Sequence, residues 1–262
     1  MLSTAQIIKS LLCLFLIWQS IFYIFSPPHY LLPAPLSVMS AFARQGGFLL
    51  SQSIITGTEI LIGLICGSLL GISTALAVSR FPQFGNLIWP MVMILQAFPV
   101  FVLAPILVLW FGFGMMSKVV MTTLIIYFPV ASAFADGLRR TDRSILDAVA
   151  LTPATRWQLL IHVRAPLALP SLISGLRVAA TLAPLGAIVG EWVGASAGLG
   201  FVMIQANARM QTDMVFAAMS IIAMMTVSLR ASVDWLSRSL VHWQPEIDTL
   251  PIPKKMRLKD ES

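Results

Sequence analysis

The chain has 262 residues, of which 58% are hydrophobic and 11% charged, with a mean hydropathy of +0.87 and a formal net charge of +6. Soluble domains carry about a quarter charged residues, so this composition excludes an ordinary cytosolic enzyme and indicates one multi-spanning membrane domain. The basic surplus is not a nucleic-acid footprint, because the Lys and Arg residues cluster beside apolar stretches.

A bilayer core is crossed by about 20 apolar residues per helix, and six stretches qualify: residues 7–25, 53–78, 87–110, 119–134, 170–189 and 215–236. The first follows Lys9 and runs into Ser26-Pro27-Pro28 with no small-x-small cleavage site, which predicts a retained helix rather than a signal peptide. Span two places Gly63, Gly67, Gly71 and Ala75 at four-residue spacing, a small-residue stripe for close helix packing within the subunit or at a dimer seam. Glu59, near its outer end, reads as a side chain that snorkels or pairs. Cys13 and Cys66 lie inside apolar runs without a Cys-x-x-Cys motif and read as fillers.

Span three holds Pro90, Pro99 and Pro105, which kink or interrupt a helix. Lipid tolerates that where neighbours or a water-filled path satisfy the freed carbonyls, so Gln96 and Phe98 become candidates for a solute pathway. Span four is the shortest. Beyond span five, Glu191 and Trp192 adjoin a Gly-rich segment, residues 190–200. The pair reads either as a carboxylate and aromatic receiving a solute or as a helix-end charge with an interfacial Trp. Asn207 and Arg209, on the outer connection, either meet a docked receptor or are solvated. In span six Arg230 and Asp234 are four apart on one helical face, an expected local ion pair.

Basic residues favour the cytoplasmic side. With the N-terminus inside, that side collects Lys9, Arg80, Arg139, Arg140, Arg143, Arg156, Arg164, Arg238 and the tail's Lys254, Lys255, Arg257 and Lys259, leaving Arg44, Lys118 and Arg209 outside. Both termini are therefore expected in the cytoplasm. A transmembrane domain over 1–242 and a short solvated tail over 243–262, rich in Pro and mixed charge, complete the plan.

The long connection 136–169 is too polar for a span and too long for a turn. Residues 144–151 form one short helix, and Thr152-Pro153 predicts a second, with Thr152 at N-cap, Pro153 at N1 and an end near residue 163. The second is amphipathic, with Trp157, Leu160 and Ile161 beside Arg156, Gln158 and His162. Such a helix covers a membrane surface, plugs its own chain or docks a soluble partner.

The run Asp147-Ala148-Val149-Ala150-Leu151-Thr152-Pro153-Ala154-Thr155-Arg156-Trp157, followed by Ala165-Pro166 and Gly175-Leu176-Arg177, resembles the EAA signature of binding-protein-dependent ABC importer permeases. Over most of its length the chain is similar to their nitrate, sulfonate and taurine branch. The stretches 96–105, 190–200 and 206–213 look like permeases for pyrimidine precursors of thiamine, of the hydroxymethylpyrimidine kind. The resemblance implies an all-α, six-helix type I importer permease of a bacterial inner membrane, multi-pass, with a coupling elbow over about 141–165. Asp147, Ala148, Val149, Pro153, Ala154, Arg156 and Trp157 would form its ATPase-coupling face. Implied partners are ABC ATPase subunits, an extracytoplasmic substrate-binding protein and a second permease copy in surrounding lipid. Two positions depart from the signature, which has Glu where this chain has Asp147 and Gly where it has Pro153.

No Gly-x-x-x-x-Gly-Lys-[Ser/Thr] loop occurs, so ATP and Mg are expected on the partner ATPase and no cofactor in this chain. His29, His162 and His242 are scattered outside any metal spacing, and no Gly-x-Ser-x-Gly elbow is present. A transport subunit rather than an enzyme is expected. An ion-driven secondary transporter using Glu59, Glu191 or Asp234, or a membrane scaffold, is the rival class; internal repeats of the kind common in secondary transporters are not evident.

Overall fold

The computed structural model describes residues 4–241; His242 and the tail lie outside the described residues. These form α1 (Thr4–Phe25), α2 (Pro35–Arg80), α3 (Pro82–Ala97), α4 (Val100–Phe111), α5 (Met115–Arg139), α6 (Arg143–Ala150), α7 (Arg156–Leu159), α8 (Ala165–Gly194), α9 (Leu199–Ala208) and α10 (Thr212–Leu240). A π turn, Leu160–Arg164, joins α7 to α8. No strand occurs among the described residues.

Four continuous helical stretches are long and apolar enough to cross a membrane: Pro35–Arg80, Met115–Arg139, Arg156–Gly194 and Thr212–Leu240. The expected single span 87–110 is instead two helices bent by 95°. Proline explains the break: Pro99 has no N–H to continue the ladder and drives Phe98 into extended backbone (φ −72°, ψ 129°). Counting this pair as one gives five spans among the described residues, and α1 adds a further apolar helix of 22 residues. Span two begins earlier than expected, at Pro35, and changes direction at Gln45 (φ −126°, ψ 21°), just before Gly46-Gly47.

α5 lies between α2 and α8, and α10 packs against α8, α9 and α2. The core between them includes Ile60, Ile126, Val130, Phe134, Leu160 and Leu172. Small residues set the spacing from both sides of α5. A Cβ on Gly63 would strike the Thr122 side chain, and one on Gly67 would come within 3.0 Å of the Thr123 carbonyl. From α8, Gly186 would meet Thr122 Cα at 2.8 Å and Gly175 the Pro129 carbonyl at 2.8 Å. The stripe on α2 therefore faces α5 within the chain, where backbone proximity provides van der Waals contact in place of side-chain volume. A second core of Val38, Leu49, Leu199, Val202 and Met214 joins α2, α9 and α10; Trp18 of α1 reaches it, its ring 5.5 Å from that of Phe216.

Candidate functional site

The elbow is built by local capping. Asp142 opens α6, its carboxylate accepting from the Ser144 amide at 3.0 Å. Thr152 does not start the next helix: its amide and hydroxyl both donate back to the Val149 carbonyl, at 2.9 and 2.7 Å. Thr155 starts it, through a capping box in which Gln158 N–H donates to Thr155 Oγ1 at 3.3 Å and Thr155 N–H to Gln158 Oε1 at 2.8 Å. Two orphan amides are satisfied there, so α7 begins at Arg156 and Pro153 occupies the intervening turn instead of position N1.

The second elbow helix does not stop near residue 163 either. It continues through the π turn into α8, with the Ala165 amide donating to the Leu160 carbonyl. A regular turn would aim the Pro166 ring at the His162 carbonyl, and the wider turn falls where that conflict arises.

The elbow presents an uncovered surface. No residue of α6 is buried, Leu151 at its end is 90% exposed and Trp157 51%. Asp147, Ala148, Pro153, Ala154 and Arg156 are exposed and Val149 is half-buried. Only Leu160, one turn past Trp157, enters the core.

The other polar centre is buried where α2, α5, α8 and α9 meet. Glu191, 1% exposed, accepts from the Thr56 hydroxyl at 2.6 Å and from the Gly200 amide at 2.5 Å. Thr56 Oγ1 accepts in turn from the Leu199 amide at 2.8 Å, and Gln52 Oε1 from the Gly198 amide at 2.7 Å. The carboxylate thus caps the N-terminus of α9, where orphan amides and the helix dipole favour negative charge. Glu59 is also buried, beside Glu191 and Lys118, and its Oε2 has no protein partner.

Lys118, expected at the outer edge of span four, is part of the helix itself. It lies in the first turn of α5, 2% exposed, its ammonium donating to the carbonyls of Phe113, Gly114 and Gly194. It ties the α4–α5 turn to the end of α8. Arg230 and Asp234 do approach, at 3.4 Å, yet the shorter partner of Asp234 is Arg177 of α8, at 2.6 Å.

The pathway candidates are dispersed. Gln96 and Phe98 are exposed at the α3–α4 bend, and Asn207 is exposed at the end of α9. Trp192 is half-exposed, whereas both oxygens of its neighbour Glu191 are engaged by protein donors. A cavity of about 170 Å³ beside the Gln45 kink, lined by Gln205, Arg209, Gln211 and Met214 among others, includes none of these four or Glu191. Sequence reasoning missed Gln52, Thr56 and Gly198; the Gly-Leu-Gly following Glu191 was the one local signal of a tight helix start.

An all-helical bundle of membrane-spanning length, with an exposed elbow between two of its long helices, defines a multi-pass membrane protein. Residues 67–243 match the family described as binding-protein-dependent transport system inner membrane component, and the chain belongs to that family. A probable ABC transporter permease of Haemophilus influenzae is 47% identical over 85% of this chain and 91% of its own. The riboflavin transport permease of Chloroflexus aurantiacus is 32% identical (90% and 88% covered), and the formylaminopyrimidine transport permease of Halalkalibacterium halodurans 34% (89% and 93%). The inward-facing MetNI methionine ABC transporter shares the fold, with a TM-score of 0.65 at 17% identity over 74% of this chain and 97% of that one.

Proposed function

We propose that this chain is the translocating subunit of an ATP-driven importer, working as a homodimer with two ATPase subunits and an extracytoplasmic receptor. The uncovered elbow carries the reading: leaving Leu151 and half of Trp157 in water is unfavourable unless a partner covers them. Nucleotide binding closes the ATPase pair, the α6–α7 elbow follows, and α8 carries the movement into the bilayer because the two helices are continuous through the π turn. ATP and Mg sit on the partner. Both termini face the cytoplasm, as the basic residues predict.

The solute is a small nitrogen heterocycle of the hydroxymethylpyrimidine type. Two relatives are permeases for riboflavin and formylaminopyrimidine, and the half-exposed Trp192 offers a ring face for stacking. Gln96, Phe98 and Asn207 are the accompanying pathway candidates. A sulfonate, taurine or nitrate-type anion is the second reading, favoured by the basic surplus around Asp234, where two arginines meet one carboxylate.

The test is uptake into proteoliposomes holding the chain with its ATPase and receptor, with labelled hydroxymethylpyrimidine, taurine and nitrate, and with or without internal ATP. ATP-dependent uptake of the pyrimidine alone is expected. Uptake of an anion alone replaces the solute assignment, and uptake driven only by a proton gradient overturns the importer.

A further inference from the structure

Arg177 of α8 and Arg230 of α10 converge on a single carboxylate. Arg177 Nε donates to Asp234 Oδ1 at 2.6 Å and its Nη2 to Ser237 Oγ at 3.4 Å, while Arg230 Nε stands 3.4 Å from Asp234 Oδ2. Arg238 lies one turn further along α10 on the same side, and among the described residues no ion pair ends on it. Among the described residues the cluster therefore carries more positive than negative charge. It is neither sealed nor free: the Arg177, Arg230 and Asp234 side chains are 36%, 45% and 28% exposed.

A guanidinium offers five N–H donors in a planar fork suited to tetrahedral and planar oxyanions. Among the described residues, the Nη atoms of Arg230 donate to no protein acceptor. Depth matters as well. α10 has 29 residues, which at about 1.5 Å per residue exceeds a hydrocarbon core of about 30 Å. Arg230 lies about 15 Å along the axis from the Leu240 end, within reach of the headgroup boundary for a long side chain that snorkels.

We infer that Arg230 and Arg177, sharing Asp234, form a binding site for one oxyanion group, a phosphate or sulfonate, near the Leu240 end of α10. Two sources present that chemistry: the headgroup of an anionic phospholipid, and a sulfonate-bearing solute on its way through. The surplus charge attracts either, and Asp234 keeps the two guanidiniums from repelling each other when the site is empty.

Two arms separate the sources. In the first, native mass spectrometry follows retention of phosphatidylglycerol against phosphatidylcholine by the purified full-length chain. In the second, ATP-driven uptake of ethanesulfonate and of hydroxymethylpyrimidine is measured in proteoliposomes of phosphatidylcholine alone. Arg230→Gln leaves the shorter Arg177–Asp234 pair in place, and Arg230→Lys keeps the charge without the fork. For a lipid site, the wild type prefers phosphatidylglycerol and Arg230→Gln lowers its retention about fivefold, with Arg230→Lys between. For a solute site, Arg230→Gln raises the KM for ethanesulfonate about tenfold and leaves the pyrimidine unchanged. Phosphatidylglycerol retention by Arg230→Gln equal to that of the wild type, together with an unchanged ethanesulfonate KM, overturns the site. Only the second arm rests on the importer reading. Absence of all ATP-driven uptake by the wild type strikes that reading, whereas the lipid arm is read without transport.

Discussion

Gly198 shows how one residue can fix a joint between helices. It is the N-cap of α9 at φ 108°, a conformation that L side chains rarely adopt, and a Cβ there would run into the Glu191 carboxylate. Gly198→Ala is expected to cost about 1–3 kcal/mol from backbone strain, read as a lower melting temperature of the purified permease. Glu191→Ala strands the Thr56 hydroxyl and the Gly200 amide, at about 1–3 kcal/mol for a buried unsatisfied group. Glu191→Gln, which retains one acceptor oxygen, should fall between it and the wild type. Trp192 differs from its neighbour in being half-exposed. If it lines the path, Trp192→Ala lowers uptake without weakening ATPase association, and unchanged uptake returns it to an interfacial anchor.

At the scale of elements, capping decides where the elbow turns. Thr155→Ala removes the capping box of a helix only four residues long before the π turn, a loss of about 1 kcal/mol at the cap. Weaker stimulation of the partner's ATPase is the expected readout, with Thr155→Ser close to wild type because the hydroxyl remains. The glycine stripe of α2 makes an independent prediction. A side chain at Gly63 meets Thr122 across the α2–α5 contact, so Gly63→Leu should force the helices apart and cost about 1–3 kcal/mol. Thermal unfolding in detergent measures it, and an unchanged melting temperature would argue that α2 and α5 are not held this closely.

For the whole molecule, the question is whether the uncovered elbow holds the complex together. Ala148 and Ala154 are small and exposed on either side of the turn. Replacing both with Glu should abolish co-purification of the ATPase while the spans remain inserted, since these positions carry no core contact that insertion needs. Normal co-purification of the double variant would count against docking at the elbow. The bundle itself is held elsewhere, by α5 between α2 and α8 and by the buried Glu191 and Lys118 contacts.

The sequence by itself determined that the chain is an apolar helical membrane protein with a polar elbow between two spans, because hydrophobic runs, prolines and caps act over a few neighbouring residues. The same locality made the proline break in the third apolar run foreseeable as a kink, though not its 95° angle. It misplaced the elbow's second start, since Thr152-Pro153 and Thr155-Gln158 are both legitimate starts and only the competing bonds to Val149 decide between them. The i,i+4 approach of Arg230 to Asp234 was legible in the spacing, but tertiary structure alone decided the distant partners of Glu191, Lys118 and Asp234. Glu191 meets a hydroxyl 135 positions away, Lys118 a carbonyl 76 away and Asp234 an arginine 57 away. A buried charge takes whichever partner the packed helices bring to it, and no sequence spacing encodes that meeting.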